Sequence, residues 1–246
     1  MHTDTVTIVT ASGPMDAFLA HPGSSVVPAP AVVVFQEGYG VNGHIRDVCR
    51  RLAREGFVAL APELFHRRGR GVTFGYGERE AIRPVFASLT NDDLAADMRS
   101  AVSYLKSLSD VIADRVSAIG FCLGGFVTFM TACRVDVQSA VAFYGGGIAE
   151  ARPGLQMEPV LDEAANLRGS LLCLFGAEDP SIPAAQVQAI RERLAAVGPQ
   201  HEVVVYEGAT HGFFCDERPA YNAGAAADGW KRALDWIRRP AAARAD

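Results

Sequence analysis

Cys122 lies in the string Gly120-Phe121-Cys122-Leu123-Gly124-Gly125, between the apolar run Val116-Ser117-Ala118-Ile119 and a segment with helical character that begins near Leu123. The pattern G-x-C-x-G fits a strand-to-helix turn so tight that flanking side chains would strike neighbouring strands, leaving the thiol protruding. Two chemical consequences follow. The helix N-terminus favours the thiolate, and the Leu123 N–H is placed to donate to a developing oxyanion. The chemistry is nucleophilic attack on a carbonyl. A small buried cysteine in a glycine-rich β-α turn would read the same way, so the motif needs partners.

Two partners follow in the chain. Asp179, in Glu178-Asp179-Pro180, comes just after the apolar strand Leu171-Leu172-Cys173-Leu174-Phe175. His211, in His211-Gly212-Phe213-Phe214, comes after Val203-Val204-Val205-Tyr206. Of six histidines, His211 alone falls on a post-strand loop beyond both the elbow and the acid. Taken singly, Asp179 reads as a helix cap and His211 as a loop histidine. Together the order nucleophile, acid, base, each after a strand, is that of an α/β-hydrolase.

Elements that would position such a site are legible around it. Residues 4–10 and 15–20 flank Ala11-Ser12-Gly13-Pro14 and predict an N-terminal antiparallel hairpin. A strand at 32–35, a helix at 44–55 ending at Gly56 and a strand at 58–61 stopped by Pro62 make a β-α-β unit. Helices are expected at about 91–108, 123–134, 183–197 and 219–238, with strands at 115–121, 139–144, 170–175 and 202–206. The alternation predicts a mainly parallel, doubly wound sheet with helices on both faces. Residues 63–90, with the cluster His66-Arg67-Arg68-Gly69-Arg70-Gly71, read as a loop-rich cap, and 147–168 as a second irregular stretch. One α/β-hydrolase domain over 1–246, with a disordered-looking tail at about 240–246, is the expected organisation.

Several spaced motifs, running from Val32 to Trp236, resemble the dienelactone hydrolase family. They are Gln36-Glu37-Gly38-Tyr39-Gly40-Val41-Asn42, Ala61-Pro62-Glu63-Leu64, the cysteine elbow, and His211-Gly212-Phe213 with Arg218-Pro219-Ala220-Tyr221. The resemblance implies a Cys122-His211-Asp179 triad and a fourth group, Glu37, beside the thiol and helping to deprotonate it once substrate binds. It implies a second oxyanion donor at the N–H of Gly38 or Tyr39, with Tyr39 favoured by analogy. The family's familiar members hold a substrate carboxylate with an arginine four residues beyond the catalytic histidine, where this chain has Cys215. Arg79 or Arg83, in the region where the family supplies another such arginine, are the expected anion anchors. Phe74, Tyr76, Tyr144 and Phe214, with Tyr39, are candidates for an apolar pocket.

The expected activity is therefore hydrolysis of a small-molecule ester or lactone, dienelactone-like or an activated enol or aryl ester, through a cysteine acyl-enzyme. A broad carboxylesterase or thioesterase acting on neutral substrates is the alternative in the same fold. A ligand-binding or redox-sensing protein using Cys122 as an oxidisable thiol is the alternative of another class. Composition narrows the partners: a net charge of -5 with dispersed arginines argues against nucleic acid. Five cysteines without a C-x-x-C pair or zinc-ligand spacing suggest reduced thiols, no metal and no cofactor. The opening Met-His-Thr-Asp-Thr-Val lacks the features of a secretory signal and no apolar run suits a membrane, so a cytoplasmic monomer or small homo-oligomer is expected.

Overall fold

A computed structural model of the chain describes residues 1–23 and 28–239. The tail expected at 240–246 lies outside the described residues. The chain forms β1 (His2–Thr10), β2 (Gly13–His21), β3 (Ala29–Phe35), α1 (Gly43–Arg54), β4 (Val58–Pro62), α2 (Arg79–Phe86) and α3 (Asn91–Ser107). It continues with β5 (Val111–Phe121), α4 (Leu123–Arg134), β6 (Ser139–Phe143), β7 (Ser170–Gly176), α5 (Ala184–Val197), β8 (Glu202–Tyr206) and α6 (Ala223–Arg238). Short 3-10 turns occupy His66–Arg68 and Leu161–Asn166.

Among the described residues the eight strands form one sheet in the order β1-β2-β4-β3-β5-β6-β7-β8. β1 and β2 form the expected antiparallel hairpin, β2 pairs antiparallel with β4, and every pairing from β4 through β8 is parallel. This is the α/β-hydrolase architecture. Parallel strands covered on both faces are apolar along their whole length, and Ala31 to Phe35 and all of Ser139–Phe143 are buried. The edge strand β8 is only half-buried. α1 packs on β2, β3 and β4 and α6 on β6 and β7, while α3 and α4 pack together against β3 and β5. α4 is buried from Leu123 through Cys133, which makes it the central helix. No helix among the described residues is long and apolar enough to cross a membrane.

Three boundaries depart from expectation. β5 starts at Val111 rather than near 115, because its first residues pair with Ala29 across a register shift before regular pairing resumes at Ala31–Val116. The last helix starts at Ala223 rather than 219: the Asn222 side chain accepts from the Ala225 N–H, and the preceding residues make a turn closed by Tyr221 N–H to Arg218 O. The loop-rich segment 63–90 contains α2, which buries Ile82 and Val85.

Candidate active site

The elbow is set by close backbone packing. A Cβ on Gly120 would stand 2.2 Å from Gly124 O, one on Gly124 2.2 Å from Phe35 O, and one on Gly125 2.4 Å from Phe143 O. Only hydrogen fits at these positions. Cys122 itself takes φ 55° and ψ -111°, a left-handed conformation costly for a residue with a Cβ. Two main-chain bonds hold it there: Cys122 N–H donates to Phe143 O at 3.0 Å and Gly124 N–H to Gln36 O at 2.9 Å. The ends of β3, β5 and β6 are thus joined under a half-exposed thiol. The Leu123 N–H lies in the first turn of α4, where amides have no intrahelical acceptor.

Beside the thiol is His211, on the loop after β8. Its Nδ1 lies 2.6 Å from Asp179 Oδ2 on the loop after β7. The other Asp179 oxygen accepts from Ser181 N–H at 2.8 Å and Ser181 Oγ–H at 2.6 Å. A proton on Nδ1 donated to the buried carboxylate leaves Nε2 for the thiol. Burial opposes both ionisations, yet mutual attraction and a hydrogen bond between the two groups prevail. The Cys122 thiol is held below its ordinary value and His211 is raised to about 10. Burial also opposes the Asp179 charge, and its bonds to His211 and Ser181 outweigh that and lower its pKa. Each charge stabilises the other, and the two groups titrate as a pair.

A third carboxylate approaches from the end of β3. Glu37 is 1% exposed; its Oε1 accepts from Arg218 Nη1 at 3.1 Å and from Tyr144 O–H at 3.3 Å, while Oε2 has no partner among the described residues. Gly212, at φ 84°, makes room for this guanidinium, since a Cβ there would stand 2.1 Å from Arg218 Nη1. Arg218 Cζ also lies 5.5 Å from the Tyr39 ring centroid and 5.9 Å from that of Tyr76. The Tyr76 hydroxyl ties the cap to this loop: it accepts from Asn42 Nδ2 at 3.1 Å, donates to Glu217 Oε2 at 3.0 Å and lies 3.2 Å from Cys215 Sγ. Phe74 N–H bonds Tyr39 O at 3.1 Å, fixing the Tyr39 peptide beneath the cap.

A cavity of about 630 Å³ opens above the thiol, walled by Gly38, Tyr39, Tyr76, Ile82, Phe86, Pro180, Ser181, Thr210, His211, Pro219 and Ala220 and by three arginines, Arg79, Arg152 and Arg218. Such a space suits a small planar molecule carrying negative charge.

Comparison with known proteins agrees with the fold. The dienelactone hydrolase family profile matches residues 15–240. The chain belongs to the dienelactone hydrolase family. A Synechocystis sp. protein named as a carboxymethylenebutenolidase is 38% identical over 94% of this chain and 94% of its own. One from Escherichia coli bearing the same name is 37% identical over 92% of this chain and 82% of its own. A Klebsiella pneumoniae crystal structure named as a dienelactone hydrolase superposes with a TM-score of 0.88 at 34% identity, covering 97% of this chain and 99% of that one. The protein is a hydrolase of this family.

Within the dienelactone hydrolase frame, the structure gathers Cys122, His211, Asp179 and Glu37 at one point, with Leu123 and Tyr39 beside them. Tyr39, Tyr76 and Arg79 line the cavity as expected. Four residues do not. Phe214 is 3% exposed and packs between the sheet and α6, its ring 5.0 Å from Phe121, 4.9 Å from Phe143 and 6.0 Å from Trp230. Phe74 packs on Phe65 at 6.2 Å within the cap. Tyr144 is fully buried, its ring 5.2 Å from His211, and acts as backing. Arg83 is exposed and does not line the cavity, although its i, i+4 spacing sets it on the same side of α2 as Arg79. Sequence reasoning missed Arg152, Ser181, Thr210, Ile82 and Phe86, and saw Arg218 only as part of a motif. Arg218, three residues beyond Cys215, brings a guanidinium to the cavity.

Proposed function

We propose that this hydrolase opens an anionic ester or lactone through a thioester on Cys122. The observation that carries the reading is the relay from thiol to His211 to Asp179, closed by the 2.6 Å contact between the last two. The thiolate attacks the carbonyl carbon, and the oxygen, taking up the electron pair, is held by the N–H groups of Leu123 and Tyr39. Collapse of this adduct breaks the bond to the leaving oxygen, which takes the His211 proton. Neutral His211 then draws a proton from water; the hydroxide attacks the thioester, and the acid departs as the thiolate and imidazolium are restored. In a lactone the leaving oxygen stays tethered to the acyl chain. Asp179 keeps the proton on Nδ1 and stabilises the imidazolium.

Glu37 acts on the charge of this pair. Its carboxylate repels the Cys122 thiolate, and Arg218 offsets that repulsion. A substrate carboxylate that binds Arg218 and Arg79 draws the guanidinium away from Glu37, freeing it to take the proton from any Cys122 still in the thiol form. Ile82, Phe86 and Tyr39 supply the apolar wall for the ring.

The test is the initial rate on a dienelactone and on phenyl acetate side by side, with Cys122→Ala as blank. Faster turnover of the anionic lactone, abolished in the variant, is the expected result. Preference for the neutral ester would replace this substrate assignment with a broad carboxylesterase, and an undiminished rate in Cys122→Ala would sink the cysteine mechanism.

A further inference from the structure

Arg152 is the arginine of the cavity that the relay and Glu37 leave unused. Its stem lies along the bare backbone after β6: a Cβ on Gly147 would stand 3.4 Å from Arg152 Cδ, and one on Gly146 3.6 Å from Nη1 and 3.5 Å from Ile182 Cγ1. Two consecutive glycines thus form the ledge that lets the guanidinium reach the cavity beside the Asp179 loop. Among the described residues it forms no hydrogen bond or ion pair. The comparably placed Arg67, Arg134 and Arg218, none more than a quarter exposed, each hold a carboxylate. A half-buried guanidinium with five donors and no partner has lost hydration without a counter-charge, and a ligand anion would supply both.

Its position relative to the thiol adds direction. Arg218 and Arg79 flank Tyr39, and both act electrostatically on its hydroxyl. Arg152 lines the same cavity from the loop after β6, next to Ile182, and its charge acts on Cys122. The leaving oxygen must face His211 to receive its proton; Ser181 Oγ lies 3.2 Å from that ring, and Arg152 neighbours Ile182, on the same loop as Ser181, while the carbonyl oxygen faces Leu123 and Tyr39.

We propose that Arg152 is a second anion subsite, serving the leaving portion, so that the preferred substrates carry one carboxylate on each side of the scissile bond. This rests on the orientation that the Cys122 and His211 relay imposes. Citing lost charge-assisted hydrogen bonds alone, the energetic effect corresponds to about tenfold in rate or affinity.

The experiment compares kcat/KM for four esters: phenyl acetate, phenyl hemisuccinate, para-acetoxybenzoate and para-carboxyphenyl hemisuccinate. The first is neutral, the second carries its carboxylate on the acyl side, the third on the leaving side and the fourth on both. Wild type is expected to favour the fourth. Arg152→Gln should lower the third and fourth about tenfold more than the first two, and Arg152→Lys should recover part of that difference. Equal losses on all four esters, or a wild type indifferent to the leaving-side carboxylate while turnover still depends on Cys122, would overturn the subsite alone. Calorimetric binding of para-hydroxybenzoate, a leaving-group product, is read without turnover. Binding weakened about tenfold by Arg152→Gln supports the subsite even if no ester is hydrolysed, a result that would count against the proposed reaction; unchanged binding overturns the subsite.

Discussion

The elbow and the cavity rim meet at the same thiol but are built by different means. At the elbow, Gly120, Gly124 and Gly125 leave no space for a methyl group, and main-chain bonds fix Cys122 from both sides. At the rim, side chains from the cap, the loop after β6 and the His211 loop converge from distant parts of the chain; Glu37 and Arg218 pair across 181 positions. Two cysteines make the contrast concrete. Cys122 is held below its ordinary pKa by His211, whereas burial pushes Cys215 up to about 11 despite its contact with the Tyr76 hydroxyl. Placement at a helix start beside His211 suits the proposed nucleophile; placement under a tyrosine suits a packing residue. On the proposed reading the reaction depends on backbone, and the substrate on side chains that loops can exchange.

The largest expected effect strikes the relay. Asp179→Asn should lower kcat on the order of 10⁴-fold with circular dichroism unchanged, because the amide no longer enforces the Nδ1 proton. A loss below tenfold would mean that His211 is oriented by Ser181 instead.

Next comes the difference in tolerance between elbow and rim. Gly124→Ala should destabilise the fold by about 3 kcal/mol or more, since its Cβ would meet Phe35 O at 2.2 Å. Gly77→Ala, in the cap and with nothing within 4 Å, should stay within about 0.5 kcal/mol. Denaturant unfolding of both measures this, and similar values would erase the distinction.

The smallest effect is a shift in pH dependence. The active pair needs Cys122 deprotonated and His211 protonated, so kcat/KM should rise through the depressed thiol pKa and fall as His211 loses its proton at about 10. Glu37 raises the thiol pKa by repulsion, so Glu37→Gln should move the acid limb to lower pH while reducing turnover of anionic substrates. An acid limb that moved upward would show that Glu37 acts on the thiol mainly as a proton acceptor.

Legibility in the sequence followed contiguity. The elbow is six consecutive residues, and its glycines reveal the turn because nothing else fits. Asp179 and His211 were readable from their places after apolar strands. Tyr39, Tyr76 and Arg79 were found at the cavity, but Phe214, Phe74 and Tyr144 were not, since an aromatic letter states an apolar surface and not which layer covers it. Arg152 sits in an irregular stretch with no motif, and the helix inside 63–90 buries only Ile82 and Val85, too few for a clear period.

The sequence by itself determined the family, the alternation that builds a parallel sheet, and the local turns and strand ends that carry Cys122, Asp179 and His211, because each depends on residue type over a short stretch. Tertiary structure alone decided the pairing of Glu37 with Arg218, the burial of Cys215 under Tyr76 and the three arginines around the cavity. These depend on where separate loops come to rest, which is set by packing across the sheet rather than by neighbours in the chain.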